Sequence, residues 1–144
     1  GRDAHWLQAA IDLSRRCPPS TTAFSVGAVI VSADGAVVAE GWSREIDPVV
    51  HAEESALAKA AGDPRLAAAT LYSSLEPCSR RRSRPRACAA LVLAAGVPRV
   101  VFALREPEVF VEGRGAEELR AAGVTVVELS DLADQVRTVN SHLL

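Results

Sequence analysis

The stretch Val97-Pro98-Arg99-Val100-Val101-Phe102-Ala103-Leu104 decides the architecture once it is read together with residues 105–128. It is a short, apolar run rich in valine, as expected of a strand buried on both faces. After a loop containing Glu106-Pro107, Ala116 to Ala122 reads as a helix closed by Gly123, and Val124 to Glu128 as a further strand. Strand, helix and strand in that order make a βαβ unit, whose strands are parallel and whose crossover is right-handed. An α/β fold with its last two strands parallel is expected.

Towards the N-terminus the pattern changes. Leu7, Ala10, Ile11 and Ser14 recur at spacings of three and four, with Trp6 and Leu13 widening the stripe, so Asp3 to Arg16 reads as a helix ended by Pro18-Pro19. Val26 to Val31 and Ala36 to Trp42 are apolar runs around Ala33-Asp34-Gly35, a hairpin signal that makes the first two strands antiparallel. Asp47-Pro48 breaks the chain before a helix that starts at His51, runs through Lys59 to about Ala61 and is closed by Gly62. Ala69 to Leu75 reads as the third strand, Cys88 opens a helix ending near Ala95-Gly96, and Ser130 caps a last helix toward Leu144. The strands number five in a mixed sheet, with strands 4 and 5 parallel.

Composition bounds what such a chain does. Its 144 residues make one domain, residues 1–144, with 49% apolar and 24% charged residues, an ordinary globular balance. A net charge of −2 gives the molecule as a whole no electrostatic claim on nucleic acid or anionic lipid. There is no basic segment followed by an apolar one at the start and no apolar run of about 18 residues, so a cytoplasmic setting without a membrane anchor is expected. Three cysteines is an odd number, and a reducing compartment keeps them as thiols.

Three short pieces carry the chemistry: His51-Ala52-Glu53, Pro77-Cys78 and Cys88, each where a helix begins or is approached. One imidazole and two thiolates suit zinc, which takes nitrogen and sulfur together in tetrahedral geometry. With His51, Cys78 and Cys88 as ligands, the fourth position of one Zn²⁺ per chain stays open, as in catalytic rather than structural sites. Glu53 then stands beside the metal as an acid and base without binding it. The histidine-x-glutamate and proline-cysteine pieces taken singly are common in surfaces and cores; together and in this order they point to catalysis. Cys17, His5 and His142 lie apart from these pieces, and the reading makes Cys17 a half-buried free thiol and the two histidines solvent-facing.

At these residues the chain resembles the zinc nucleobase deaminases, whose signature is H-x-E followed by P-C-x-x-C. The longer run Ser74-Leu75-Glu76-Pro77-Cys78-Ser79 and the wide gap to Cys88 resemble the deaminase domain of the bifunctional riboflavin-biosynthesis enzyme. The likeness runs from about Trp6 to the C-terminus. It implies a three-layer α-β-α cytidine deaminase-like fold and a hydrolase that converts an exocyclic amine of a heterocycle to a carbonyl. Parallel strands 4 and 5 fit the riboflavin, deoxycytidylate, guanine and tRNA-adenosine branches; free cytidine deaminases run the last strand antiparallel. The resemblance further implies a homodimer or homotetramer.

Around the zinc pieces the pattern departs from that family. Its Asn-Pro-x-Val-Gly appears as Ala23-Phe24-Ser25-Val26-Gly27, a histidine after the second strand as Ser43, and Ser-His-x-Gly-Arg as Ser79-Arg80-Arg81-Arg82. Asp-Pro-Asn-Pro becomes Glu106-Pro107-Glu108-Val109, although Gly113-Arg114-Gly115 fits; the reductase domain usually fused behind this one in that family is expected to be absent. These departures fall on loops expected to hold substrate, where the candidate contacts are Ser25, Glu76, Arg80, Arg84 and Glu108. The reaction is thus expected to be kept and the substrate changed. Arg80, Arg81, Arg82, Arg84 and Arg86 read either as a solvated loop or as a phosphate or carboxylate clamp, arginine binding such groups bidentately. Other readings are the authentic riboflavin deaminase, a tRNA-type editing deaminase needing a basic groove, and a zinc-stabilised binding module without chemistry.

Overall fold

The computed structural model describes residues 2–78, 87–105 and 115–143. Helix α1 spans Arg2–Ser14, followed by strands β1, Gly27–Val31, and β2, Val37–Trp42. Helix α2, Ala52–Lys59, leads through a 3-10 turn at Pro64–Ala68 to β3, Thr70–Leu75. Then come α3, Cys88–Ala95; β4, Arg99–Leu104; α4, Gly115–Ala121; β5, Thr125–Glu128; and α5, Ala133–Val139. The strands form one sheet in the order β2-β1-β3-β4-β5. β1 is antiparallel to both β2 and β3, whereas β3 pairs with β4, and β4 with β5, in parallel. The expected α/β sheet with parallel strands 4 and 5 is present.

Register assigns the faces. Gly27 stands opposite Trp42 in β2, and a Cβ on it would fall on the backbone oxygen of Ala10 in α1. The next residue, Ala28, stands opposite Gly41, where a Cβ would meet the backbone of Ala52 and Ala56 in α2. Successive strand residues point to opposite faces, so α1 and α2 cover opposite sides of the sheet. Each glycine lets a helix backbone lie directly on a strand. Leu7, Ile11, Val29, Ile30, Leu71, Val100, Val101 and Leu119 are buried in the core between these layers. The α1 side is pinned by polar contacts as well: Arg99 at the start of β4 makes two hydrogen bonds, of 2.8 and 2.6 Å, to the Asp3 carboxylate, which also accepts from the Tyr72 hydroxyl at 2.7 Å.

Three local details differ from expectation. The hairpin loop extends beyond Ala33-Asp34-Gly35 to include Ala36, since β2 starts only at Val37: Ser32 N–H donates to Ala36 O at 2.8 Å, Gly35 sits at φ 88°, and the register shifts between Ile30 and Val31. Such a bulge with glycine in the left-handed region is a common hairpin solution. The turn at Pro64–Ala68 was not expected; Asp63 nucleates it by accepting from Arg65 N–H at 2.9 Å. Ser130 does not cap the last helix. It opens a short 3-10 turn, Ser130–Leu132, so that α5 begins three residues later with Leu132 at its N-cap and no side-chain cap.

Candidate active site

The carboxyl ends of the interior strands β3 and β4 and the first turns of α2 and α3 meet at one end of the sheet. His51 is the N-cap of α2, with extended backbone at φ −89° and ψ 157°, and its N–H donates to the Glu54 carboxylate at 3.2 Å. That bond turns the chain into the helix with the imidazole outside it and Glu53 inside it. Cys78 follows β3, and its carbonyl accepts from Ala89 N–H at 3.0 Å, which seats it against the start of α3. Cys88 is the first residue of α3, and its N–H donates to Cys78 Sγ at 3.2 Å.

The three ligand atoms converge. His51 Nδ1 lies 3.7 Å from Cys78 Sγ and 3.3 Å from Cys88 Sγ, and all three lie within 4.8 Å of one another. Both cysteines are buried. The Cys78 thiol is pushed well below the ordinary thiol range, first by the hydrogen bond from Cys88 and then by His51 and the Cys88 N–H, which outweigh burial. The Cys88 thiol is pushed up by the same hydrogen bond and by its own burial. A helix N-terminus adds to the preference for sulfur anions here. One imidazole nitrogen and two sulfurs at this spacing are a donor set that fits zinc, and among the described residues no fourth histidine, cysteine or carboxylate belongs to the group.

Glu53 is 4% exposed, with Ser73 Oγ at 2.7 Å from its Oε1. Burial raises its carboxyl pKa above the usual range, and the neighbouring His51 pulls the other way. A buried carboxyl group whose pKa is raised is a common feature of groups that transfer protons.

Of the candidate substrate residues, Glu76 is buried and takes a structural set of partners. Its N–H donates to Leu104 O at 2.9 Å, one carboxylate oxygen accepts from Ala116 N–H at 2.8 Å, and Arg105 Nη1 lies 3.8 Å from that oxygen. Ser25 is held from two sides. Asn140 Oδ1 accepts from Ser25 N–H at 2.6 Å while its amide donates to Ser25 O at 3.1 Å, and Arg44 Nη2 donates to Ser25 Oγ at 3.0 Å. Arg44 also reaches Pro18 O and Phe24 O, from a backbone at φ 60°. Arg80, Arg84 and Glu108 lie outside the described residues. Cys17 is half-buried and donates weakly to Val26 O at 3.5 Å; His5 packs edge-on against Trp6, and His142 lies 2.9 Å from Ala23 O. Ser73, Arg44 and Asn140 had not been singled out from the sequence. The alternation of β3 alone would have placed Ser73 on the α2 face; nothing local marks the other two.

The family model of the cytidine and deoxycytidylate deaminase zinc-binding region matches residues 1–104, which include the three candidate ligand residues and Glu53. The chain belongs to that family. It is 38% identical over 126 residues to the diaminohydroxyphosphoribosylamino-pyrimidine deaminase of Schizosaccharomyces pombe, covering 85% of this chain and 31% of the relative. To riboflavin biosynthesis protein RibD of Escherichia coli it is 41% identical over 127 residues, covering 87% of this chain and 33% of the relative. Acinetobacter baumannii RibD superposes with a TM-score of 0.83 at 33% identity, covering 97% of this chain and 38% of that one. The Rib2 deaminase of Aspergillus oryzae shares the fold at a TM-score of 0.83 and 24% identity, covering 95% and 89%. The chain spans about a third of the length of the curated relatives it matches. No helix among the described residues is long and apolar enough to cross a membrane.

Proposed function

We propose that residues 1–144 form a single cytoplasmic deaminase domain that hydrolyses an exocyclic amine of a pyrimidine- or purine-like heterocycle, giving a ring carbonyl and ammonia. The observation that carries the reading is the meeting of His51, Cys78 and Cys88 with a buried carboxylate, Glu53, outside the ligand group. His51 Nδ1 and the two sulfurs would hold one zinc. When bound, zinc would supply the Lewis acidity that makes water a nucleophile near neutral pH. Glu53 accepts a proton as water adds to the ring carbon. It delivers that proton to the ring nitrogen, then takes the second proton from the added hydroxyl and passes it to the amine, so that the C–N bond breaks, the water oxygen stays as the carbonyl and ammonia leaves. Its burial keeps bulk water from competing for those protons.

Ser25, Arg80, Arg84 and Glu108 are proposed to face the substrate, and the arginines to bind a phosphate or carboxylate on it. Glu76 is proposed to shape that pocket from beneath, through Ala116 and Arg105. The exchange of an asparagine for Ala23 and of a histidine for Ser43 supports a substrate other than the family's phosphoribosylated diaminopyrimidine. The names of the relatives support that diaminopyrimidine as a second reading. A homodimer or homotetramer fits the family likeness.

One screen tests all of this. The zinc-loaded protein is assayed for ammonia release over nucleobases, nucleosides, nucleotides, pterin-like amines and the phosphoribosylated diaminopyrimidine, with Glu53→Gln as blank. Release from one member, absent in the blank, is expected. No release from any member, with zinc bound, favours a binding module; diaminopyrimidine turnover at the rate of a true riboflavin enzyme ends the changed-substrate reading. Steeply salt-dependent RNA binding favours an editing enzyme.

A further inference from the structure

Ser73 lies on the α2 face of β3, opposite Ala28 of β1 and Phe102 of β4, and is completely buried. A hydroxyl in that position is costly unless it is bonded, and an apolar residue would fill it as well. Its Oγ stands 2.7 Å from Glu53 Oε1 and 2.7 Å from Leu75 O. The hydroxyl carries one proton for these two neighbours. Donated to Glu53, it fixes a carboxylate. Donated to Leu75 O, it leaves an oxygen lone pair facing Oε1, which accepts from a protonated carboxyl group. A rotation about the Cβ–Oγ bond exchanges the two arrangements with no movement of heavy atoms.

We propose that Ser73 is the positioning residue for Glu53, holding the carboxyl group by Oε1 and leaving the other oxygen to face the reacting groups. The inference rests on the deaminase reading above. A lysine or arginine in this place would hold only the anion, and a backbone N–H likewise. A hydroxyl with a second acceptor behind it holds both forms, which suits a group that must gain and lose protons in each turnover. Ser74 provides the internal contrast. Its Oγ accepts from Gly27 N–H at 3.1 Å and touches none of the four site residues in any hydrogen bond described.

The test compares zinc-loaded wild type, Ser73→Ala, Ser73→Thr and Ser74→Ala on the screen member that wild type deaminates fastest. Ser73→Ala is expected to lower kcat by about 10- to 100-fold, the effect of losing a hydrogen bond to a charged group. Its KM is expected to stay within about twofold, its zinc content at that of wild type, and Ser73→Thr to recover most of the rate, since only Oγ is needed. Ser74→Ala keeps kcat and loses thermal stability. A crystal structure of zinc-loaded Ser73→Ala is expected to show the Glu53 carboxyl group rotated or in more than one orientation. The proposal is overturned if Ser73→Ala turns over within twofold of wild type, if its loss is in KM or zinc content, or if Glu53 keeps its wild-type orientation in the crystal. Absence of ammonia from wild type overturns the deaminase reading and this one together; activity in wild type with an indifferent Ser73→Ala overturns this one alone.

Discussion

Tyr72 and Ser73 are neighbours in β3, yet they serve opposite sides of the sheet in opposite ways. On the α1 side, Tyr72 meets Asp3, and Arg99 supplies the matching cation, so every charge has a partner. On the α2 side, Ser73 meets Glu53, which lies deeper than Asp3 and has no lysine or arginine among its described hydrogen bonds. The consequences appear in the carboxyl groups themselves. Asp3 is lowered to about 2, chiefly by its hydrogen bond from Arg99 against the cost of burial, with Tyr72 assisting. Glu53 is raised, chiefly by burial. Matched charge holds the fold on the α1 side; on the α2 side the carboxyl group without a lysine or arginine partner is the one proposed for chemistry.

Removing the unmatched charge should cost activity and nothing else. Glu53→Gln is expected to lower ammonia release by about 100- to 10,000-fold, the range of general acid–base catalysis. Its zinc content and melting temperature are expected to equal or exceed those of wild type. A parallel fall in stability would erase the contrast between the two sides. Cys88→Ala acts on the same side through the metal: zinc affinity, read by competition with a chromophoric chelator, is expected to fall more than about 100-fold, beyond the loss typical of outer partners.

The α1 side should respond in the reverse sense. Gly27→Ala puts a methyl group on the backbone of Ala10 and is expected to cost about 3 kcal/mol of unfolding free energy, read from urea midpoints. Asp3→Asn is expected to cost about 2 kcal/mol at pH 7, because hydrogen bonds to a charged group are lost. The sign of the pH dependence follows from the lowered carboxyl. Folded Asp3 titrates at about 2 and an unfolded aspartate near 3.9, so the stabilisation is complete above about pH 4 and disappears as pH falls through 2. The difference in midpoint between wild type and Asp3→Asn should therefore shrink between pH 4 and pH 2. A difference that persists at pH 2 would mean that Asp3 acts by packing rather than by charge.

Much of this was legible in the chain itself, for identifiable reasons. Valine-rich runs around an intervening helix made parallel strands 4 and 5 the natural reading, and β4 and β5 pair that way; the parallel pairing of β3 with β4 is a finding of the structure. His51, Glu53, Cys78 and Cys88 announced themselves by residue type at helix starts, where local rules operate. Arg44 and Asn140 did not. Asn140 reaches Ser25 across 115 residues of sequence, and Arg44 clamps a loop that precedes it by about twenty, so neither leaves a local trace. Ser73 falls between these cases, since its face follows from alternation but its partner depends on where α2 comes to rest. The late start of α5 has a local cause: the chain leaves β5 by a tight 3-10 turn before the α-helical spacing begins.

Gly115 carries a last implication. A side-chain carbon there would fall on the carbonyl oxygen of Pro77, the residue before Cys78. Segments 79–86 and 106–114 therefore have one end each at a single knot in the backbone, tied by the absence of a methyl group. A side chain at position 115 would thus be felt at the residue before Cys78, so this glycine guards the approach to the candidate site from a distance in sequence.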